Sequence, residues 1–357
     1  MIRVAALTSG RNTPSTRYRV RQHINFLAHY GIAVREYLPW IDKDRGIPGW
    51  PTTIRQRAMA AILPVYAGWH LAKMAVLVPG VLGSHRSQVT WINRHLFPGY
   101  PSFEVFLKKP ILLDVDDAVW LMPLWGKSAV ASLARRSELV IAGNRFLADW
   151  FSRHSRNVQI VPTAVDAERY VPAQTGQKTQ DKFIIGWTGS RSNLSNLESL
   201  APVFSRFLRD NKDAHLLIMA DRPPHFSGLP SNQMTFLPWS EEAEVSCLQQ
   251  MDVGLMPLPD TEWNQGKCAF KMLQYMACGL PVIVSPVGMN QEILRLGELG
   301  VAARNQADWM EALWLLYRER DRGYRMGRNG RNIVLRYYDR KIITRKIAEI
   351  IHGLVSQ

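Results

Sequence analysis

Two lysines stand at the front of a predicted helix in the stretch GKCAFKMLQYMACGLPVIVSPVG, residues 266–288. Lys267 and Lys271 are four residues apart and Gln274 continues the spacing, so the pattern predicts all three on one helical face. A helix N-terminus attracts anions, and lysines in the first turn oppose the helix dipole unless an anion binds there. We therefore predict that Lys267 and Lys271 bind a phosphate group. A solvated basic face is the alternative.

A second candidate for phosphate binding is the turn in GWTGSRSN, residues 186–193, which follows a predicted strand and precedes a helix. Gly189 and Ser190 allow a ligand to approach the backbone closely, and Arg191 can hold a phosphate through two hydrogen bonds. The turn is neither a GxGxxG fingerprint nor a Walker loop, so alone it is a weak signal. Together with the lysines it predicts a diphosphate site at the carboxyl ends of the strands, where open α/β sheets bind ligands.

The elements that must position these residues alternate between strands and helices. The predicted strands are IRVAALTS, IAVREYLPW, VTWINRH, ILLDVDD and SELVIAGN, then FIIGWTGS, AHLLIMAD, DVGLMPL and VIVS. Helical patterns such as RYRVRQHINFLAHYG and NLESLAPVFSRFLRD lie between them. This alternation is typical of parallel sheets, so the fold class is α/β with two Rossmann-like halves. A polar run over 174–182 predicts a surface linker between them.

Length and composition fit this organisation. A chain of 357 residues is long enough for two domains. Its three cysteines, Cys247, Cys268 and Cys278, are too few and too unevenly spaced for a disulfide framework or a zinc site, which favours reduced thiols in a cytosolic protein. The N-terminus lacks the pattern of a signal peptide, and no apolar run is long enough to predict a transmembrane helix.

Positive charge is concentrated in the first part of the chain. The net charge is +14, and residues 1–170 hold 22 Lys and Arg against 11 Asp and Glu. Residues 171–357 hold 22 against 19, so the excess of +11 in the first segment compares with +3 in the second. Such asymmetry indicates an acidic partner, namely nucleic acid, anionic lipid or a phosphorylated substrate. Charge that serves solubility alone is the alternative.

An apolar segment over 58–83 interrupts the first half. Pro64, Lys73 and Pro79 break it, so it is too irregular to span a bilayer, and basic residues flank it. One interpretation is a buried pair of helices. The other is an interfacial segment that lies on anionic lipid, which the charge excess favours.

Several stretches resemble one enzyme family. KMLQYMACGLPVIVSPVGMNQEIL, residues 271–294, resembles the nucleotide-sugar motif of retaining glycosyltransferases of the two-domain GT-B type, the group 1 or family 4 enzymes. DVGLMPL, VIAGNRFLADWF, IVPTAVDAERY and TSGRNTPSTRYRV resemble the same family. The resemblance implies two Rossmann-like domains facing across a cleft: an acceptor domain over 1–170, a donor domain over 171–335, and a helix over 336–357 that packs back on the first domain. It also implies a hexosyltransferase that uses a nucleotide-diphosphate sugar and no metal or other cofactor.

The chain departs from the family motif at both glutamate positions. The family usually has two glutamates in this motif, which correspond here to Gly266 and Gln274. Gln274 can still form a hydrogen bond to a ribose, whereas Gly266 cannot replace a carboxylate, and Glu262 or Asp260 is the nearest acidic residue upstream. With the resemblance included, the predicted donor-binding residues are Gly189, Ser190, Arg191, Glu262, Lys267, Lys271, Gln274, Gly288 and Asn290.

Asp116 and Asp117 end the predicted strand ILLDVDD. Two carboxylates at the end of a buried strand are costly unless they are paired or used. The family commonly has a His-Asp pair facing the donor sugar here, so the resemblance implies that Asp116, Asp117 and Lys271 are catalytic. Two alternatives remain. One is a metal-binding Asp114-x-Asp116 pair, and the other is a strand-end cap that faces an arginine (Arg17, Arg19 or Arg21).

The first domain supplies the predicted acceptor-side residues Ser9, Gly10, Arg17, Arg19 and His95, although a lone histidine is more often structural. The expected acceptor is a glycan or lipid-linked molecule in polysaccharide biosynthesis, reached in the cytoplasm by peripheral contact with anionic membrane. Two rival functions are a nucleotide-sugar 2-epimerase of the same fold and a basic nucleic-acid-binding protein. The sequence has no helix-turn-helix, zinc or RNA-recognition signature, so no nucleic-acid partner is expected.

Overall fold

The computed structural model describes residues 1–11, 13–41, 59–97, 102–174, 182–226 and 228–356. The linker predicted over 174–182 lies almost entirely outside the described residues. The chain forms two compact units. Unit 1 comprises Met1–Thr163 and Ile343–Gln357, and unit 2 comprises Ala164–Ile342.

Unit 1 is built on a six-stranded parallel sheet in the order β2-β1-β3-β4-β5-β6. Its strands are β1 Ile2–Leu7, β2 Ile32–Tyr37, β3 Val89–Asn93, β4 Ile111–Val115, β5 Leu139–Ala142 and β6 Val158–Ile160. β1 pairs with β2 on one side and with β3 on the other, so Leu7 lies opposite both Tyr37 and Ile92. The direction of strand progression therefore reverses at β1 and β3, which is the point where doubly wound sheets bind ligands.

The helices of unit 1 connect these strands. They are α1 Ile24–Leu27, α2 Met59–Ala75, α3 Val78–His85, α4 Gly126–Arg136 and α5 Arg145–Phe151. The predicted helix before β2 is a mixed π, 3₁₀ and α path over 16–30, and Gly31 ends it with a φ of 72°. Among the described residues, no helix is long and apolar enough to cross a membrane.

Unit 2 has a second six-stranded parallel sheet in the order β12-β11-β10-β7-β8-β9. Its strands are β7 Phe183–Gly189, β8 Ala214–Ala220, β9 Met234–Pro238, β10 Val253–Met256, β11 Val282–Val284 and β12 Gly300–Ala302. If these strands are renumbered from 1 to 6 along the chain, their order read from β9 is 3-2-1-4-5-6, which is the order of a Rossmann fold. β7 and β10 are the strands at its switch point.

Helices cover the sheet of unit 2. They are α6 Leu194–Glu198, α7 Ala201–Asp210, α8 Glu244–Gln249, α9 Glu262–Gln265, α10 Phe270–Ala277, α11 Met289–Leu294, α12 Gln306–Arg318 and α13 Arg320–Ile333. A further helix, α14 Arg340–Ser356, begins in unit 2 and lies mostly in unit 1. One core cluster packs Phe204 and Phe207 of α7 and Leu313 of α12 against the sheet residues Ile185 and Ile218. The apolar faces of these helices therefore hold the sheet rigid beneath its carboxyl ends.

The predicted α/β class with two Rossmann-like units is confirmed. The predicted end of the helix at Gly279 is also confirmed, since α10 stops at Ala277 and Gly279 has a φ of 71°. Its predicted start is wrong. Ala269 adopts a left-handed conformation with a φ of 52°, so α10 begins only at Phe270 and Lys267 lies before it. The two lysines and Gln274 therefore do not share one helical face.

Candidate functional site

The carboxyl ends of β7 and β10 form the edge of unit 2 where the candidate site lies. β7 ends at Gly189, β10 ends at Met256, and the two strands are neighbours in the sheet. α10 packs against β10 and β11 and carries Lys271 in its first turn. The predicted phosphate site therefore requires Lys271 to lie close to Gly189.

Lys271 reaches the Gly189 turn directly. Its Nζ lies 4.8 Å from the centroid of the Trp187 ring, at the distance of a cation–π contact. A Cβ on Gly189 would lie 2.9 Å from this Nζ and 2.5 Å from the Trp187 ring. Only glycine therefore leaves room for the ammonium and the indole at this turn, and the backbone of Gly189 stays open to a ligand.

The charge of Lys271 is poorly stabilised in the unliganded unit. Burial and, to a smaller extent, the positive charge of Lys267 together lower the pKa of Lys271 from 10.5 to about 7. Among the described residues, no carboxylate forms an ion pair with Lys271. An anion bound beside the Nζ would favour the charged form, so the position is suited to a phosphate.

Tyr275, one turn further along α10, fixes the end of β7. The backbone N–H of Thr188 donates to Tyr275 Oη at 2.9 Å, and both residues are buried. Burial raises the pKa of Tyr275, so its hydroxyl stays neutral. The absence of a side chain at Gly254 makes the contact possible, because a Cβ there would lie 2.2 Å from the tyrosine ring. These contacts hold the turn next to Lys271 in place.

Gln274 does not point to the same place. Its side chain is 3% exposed, and its Nε2 donates to Tyr170 Oη at 2.9 Å and to Glu244 Oε1 at 3.1 Å. Tyr170 Oη also donates to Glu244 Oε2, and Trp239 Nε1 donates to Glu244 Oε1 at 3.2 Å. The amide nitrogen of Gln274 therefore belongs to a buried network, and the predicted ribose contact stays a prediction.

The loop before α11 holds Gly288 and Asn290. Gly288 has a φ of 53°, and its N–H donates to Gln265 Oε1 at 3.0 Å. A Cβ at this position would lie 2.5 Å from the Gln265 carbonyl oxygen. Asn290 is buried and donates through Nδ2 to the Ser285 carbonyl at 3.0 Å. Glu262 is exposed in the first turn of α9, and Gly266 follows that helix.

Ser190 and Arg191 lie at the surface. The Arg191 side chain is 74% exposed, and its backbone N–H donates to Asp221. Ser190 Oγ lies 2.8 Å from Ser192 Oγ. Both residues follow Gly189 directly, so they share the edge of the sheet with Lys271, and Arg191 has room to turn toward a bound anion.

In unit 1, Asp116 and Asp117 form ion pairs with Arg94. Arg94 Nε lies 2.7 Å from Asp116 Oδ1, and its other nitrogen NH2 contacts Asp117 Oδ2. Burial acts against the charge of Asp116, but the Arg94 guanidinium outweighs it and lowers the pKa of that carboxyl. Arg94 follows β3 and has a φ of 64°. The alternative of a strand-end cap that faces Arg17, Arg19 or Arg21 therefore named the wrong arginine, because the ion pairs are formed by Arg94.

Asp114 belongs to a separate buried ion pair. Arg19 and Asp114 are 2% and 0% exposed, and Arg19 NH2 lies 2.7 Å from Asp114 Oδ1. Arg19 also donates to the Val161 carbonyl at 2.8 Å, and Trp91 Nε1 donates to Asp114 Oδ2 at 3.2 Å. The acceptor-side role predicted for Arg19 is wrong because its guanidinium faces the interior. The alternative Asp114-x-Asp116 metal pair is also disfavoured, because the two carboxylates have different arginine partners.

The other acceptor-side candidates lie near the carboxyl ends of β1 and β3. Ser9 and Gly10 are buried, and the Ser9 N–H donates to Thr16 Oγ1 at 3.1 Å. Arg17 is half-buried, with its guanidinium 4.9 Å from the centroid of the Tyr18 ring. His95 is buried beyond the end of β3. Within unit 1, Ser9 and His95 therefore follow the two strands at the switch point.

Sequence reasoning missed four residues that shape these sites: Trp187, Tyr275, Glu244 and Arg94. Trp187 stands two residues before Gly189 and points to the same side of β7, a signal that strand periodicity could have given. The partners of Tyr275 and Glu244 lie 87 and 30 residues away in sequence. Such contacts leave no local pattern.

Comparisons with known proteins agree on one class. Residues 182–319 match the family model described as glycosyl transferases group 1. Among curated proteins, the chain is 26% identical over 206 residues to D-inositol 3-phosphate glycosyltransferase of Nocardia farcinica (strain IFM 10152). That match spans 51% of this chain and 45% of the relative, so less than half of the curated protein is covered.

Solved structures share the whole fold. Sucrose-phosphate synthase from Thermosynechococcus elongatus has a TM-score of 0.71 at 14% identity and covers 100% of both chains. HepE of Anabaena in complex with UDP-glucose has a TM-score of 0.67 at 12% identity and covers 99% of this chain and 100% of that chain. The architecture resembles these proteins from end to end.

Proposed function

We propose that this chain, whose residues 182–319 form a group 1 glycosyl transferase domain of a GT-B fold, is a retaining glycosyltransferase. Its donor is a nucleotide-diphosphate sugar and its acceptor is a glycan or a lipid-linked molecule. The observation that carries the proposal is the position of Lys271, a half-buried lysine without a carboxylate partner among the described residues, against the open backbone of Gly189.

The donor diphosphate is proposed to lie between Lys271 and the backbone of Gly189, with Lys267 and Arg191 adding positive charge. The Trp187 ring holds the ammonium in place, since the ring centroid lies 4.8 Å from Lys271 Nζ. Tyr275 holds the turn through Thr188. Because these groups are in place before the ligand arrives, little free energy is lost in arranging them.

The reaction is proposed to proceed on one face of the donor sugar. The bond between the anomeric carbon and the diphosphate oxygen breaks, and the acceptor oxygen bonds to that carbon from the same face. The acceptor hydroxyl transfers its proton to the departing phosphate. The ammonium of Lys271 stabilises the negative charge that develops on the leaving group, so this mechanism needs no metal ion.

Asp116 and Asp117 are proposed to orient the acceptor hydroxyl or the sugar ring. Their side chains are 12% and 18% exposed, so each keeps a surface that a ligand can reach. The Arg94 guanidinium holds Asp116 ionised through its effect on the pKa. An ionised carboxylate accepts hydrogen bonds from hydroxyl groups, which suits a positioning role.

Unit 1 is proposed to contact anionic membrane from the cytoplasmic side. Leu71 of α2 and Val78 and Leu82 of α3 are exposed, as are Val105 and Phe106 in the short helix that packs against α3. Exposed apolar side chains beside a basic surface are typical of interfacial segments. Sedimentation with vesicles of phosphatidylglycerol or phosphatidylcholine tests this part separately: equal binding to both lipids, or none to either, would contradict it.

The donor site is tested by the thermal stability of the purified protein with UDP, GDP, ADP or dTDP, in EDTA and in magnesium. A ligand that binds the native state raises Tm, and we expect one nucleotide to do so in EDTA. Lys271→Ala should weaken that nucleotide by roughly tenfold or more, because a charge-assisted contact is worth about 1.5–3 kcal/mol. Lys212→Ala is the matched control, since Lys212 is exposed and precedes β8 at the opposite edge of the sheet.

The outcomes separate the parts of the proposal. A shift that occurs only with magnesium would contradict the metal-independent mechanism. Equal losses for Lys271→Ala and Lys212→Ala would contradict the phosphate site at Lys271. The stereochemistry is read by NMR of the first-formed product with the identified donor, and inversion at the anomeric carbon would refute the retaining mechanism.

A further inference from the structure

An apolar cavity of about 430 Å³ lies at the carboxyl edge of the sheet in unit 1. Leu7 and Thr8 at the end of β1 form one wall, and residues 37–40 at the end of β2 and just after it form a second. The third wall runs from the end of α2 into the start of α3 and consists of Ala75, Val76, Leu77, Pro79 and Gly80. Protein interiors rarely leave such a space, whereas cavities of roughly 300–1,000 Å³ are typical of ligand sites.

Two glycines of α3 create the close packing around this cavity. A Cβ at Gly80 would lie 3.1 Å from Leu7 Cγ, and a Cβ at Gly83 would lie 2.1 Å from the Tyr37 ring. α3 therefore lies directly on the ends of β1 and β2. The helix fills the space beneath Tyr37 and leaves the cavity between Leu7, Leu77 and Leu96, which are all buried.

Thr8, Arg35 and Glu36 are polar residues that line the cavity. Glu36 accepts from Arg21 at 3.0 Å and from Thr8 Oγ1 at 3.0 Å, so its charge is already compensated. Arg35 is exposed, with its guanidinium 5.3 Å from the centroid of the Tyr37 ring. Among the described residues it forms no ion pair, which leaves one uncompensated cation beside an apolar space.

We infer that this cavity holds the apolar tail of the acceptor, and that the acceptor is a single-chain lipid whose head group carries an anionic phosphate and the hydroxyl that is glycosylated. This inference rests on the proposed function, because it specifies the class of acceptor for the same enzyme. The apolar walls match an alkyl or isoprenoid chain, and the Arg35 guanidinium matches a phosphate. Ser9 and Gly10 follow Thr8 directly, so the head group would lie at the edge of the sheet where the acceptor-side residues stand.

Two substitutions on α2 separate the cavity from its surroundings. Ala75 lines the cavity and is itself exposed, so Ala75→Trp places an indole in the space from a surface position. Leu71 is one turn earlier on the same helix, 67% exposed and outside the lining, so Leu71→Trp is the matched control. Arg35→Gln removes the cation while the apolar walls remain.

The experiment is calorimetric titration of the full chain with n-butyl, n-hexyl, n-octyl and n-decyl phosphate, each kept below its micelle concentration. We expect affinity to rise about fourfold per methylene, which corresponds to roughly 0.8 kcal/mol, until the cavity is full. Ala75→Trp should weaken octyl phosphate by roughly tenfold or more, and Leu71→Trp should not. Arg35→Gln should weaken every member of the series by a similar factor and leave the dependence on chain length unchanged.

Affinity that does not depend on chain length, or equal affinity for wild type and Ala75→Trp, would overturn the inference. Binding to phosphatidylglycerol vesicles without binding to monomeric alkyl phosphates would assign the apolar residues to a membrane surface and also overturn it. The nucleotide titration distinguishes this failure from that of the proposed function. A nucleotide-induced rise in Tm without alkyl phosphate binding refutes the cavity alone, and the reverse result refutes the donor site alone.

Discussion

Replacing Lys271 by methionine should stabilise unit 2 while it weakens nucleotide binding by roughly tenfold or more. In the unliganded protein, burial lowers the pKa of Lys271 from 10.5 to about 7, a difference equivalent to roughly 5 kcal/mol of penalty on the charged form. The side chain is only partly shielded from solvent, and water that still reaches it reduces this value. Methionine keeps the volume and removes the charge, so we expect Lys271→Met to be roughly 1–3 kcal/mol more stable at pH 7.

The stability difference between Lys271→Met and wild type should depend on pH. Between pH 7 and 10.5 the unfolded chain holds a proton on Lys271 that the folded chain has lost, so the wild type gains stability as pH rises through this window. Below pH 7 both states are protonated and the full penalty applies. The advantage of Lys271→Met should therefore be greatest below pH 7 and fall by more than half by about pH 9.

Urea unfolding at several pH values measures this advantage, and the nucleotide-induced shift in Tm is recorded for the same samples. Lys212→Met is the control for loss of a lysine, since Lys212 is exposed. A Lys271→Met protein that is no more stable than wild type at pH 7, or whose advantage does not change with pH, would refute the burial argument. Nucleotide binding as tight as that of wild type would instead refute the phosphate contact.

Three further changes test other parts of the molecule. Arg19→Met should destabilise unit 1 by roughly 3–5 kcal/mol in a urea titration, because it leaves the buried Asp114 without its cation, whereas Arg17→Met should cost far less; equal losses would contradict this. Asp117→Asn should lower turnover with the identified donor while nucleotide affinity stays nearly constant, and unchanged turnover would remove this carboxylate from the mechanism. Gly254→Ala should lower Tm by an amount equivalent to roughly 1–3 kcal/mol, because its Cβ would overlap the Tyr275 ring; an unchanged Tm would show that the ring can move.

The strands of both sheets could be predicted from the sequence because apolar runs bounded by turn residues are a local signal. The predicted strands IRVAALTS and FIIGWTGS correspond closely to β1 and β7. The end of α10 at Gly279 was equally local, since glycine in a left-handed conformation ends helices. The beginning of α10 had no such local signal, because Ala269 adopts a left-handed φ and alanine rarely does so.

The partners of the charged residues could not be predicted for a different reason. Asp116 and Asp117 were correctly identified as a pair that needs compensation, but their counter-ion Arg94 comes from a neighbouring strand rather than from the arginines after β1. Arg17 and Arg19 are two residues apart in the same segment, and only packing decides that Arg19 turns inward to Asp114. Side-chain direction at such positions depends on contacts that are distant in sequence.

Unit 1 is discontinuous in sequence, so its two segments are synthesised at different times. The segment 343–356 is translated after the whole of unit 2, so a ribosome-bound chain must hold Met1–Thr163 without it. Ile343, Ile347 and Ile351 are buried in the finished protein, and Thr344 Oγ1 lies 2.7 Å from His23 Nδ1. The surface that these residues cover is therefore exposed to chaperones for the time in which roughly half of the chain is made. Unit 2 is contiguous in sequence, so all of its residues are made before this segment.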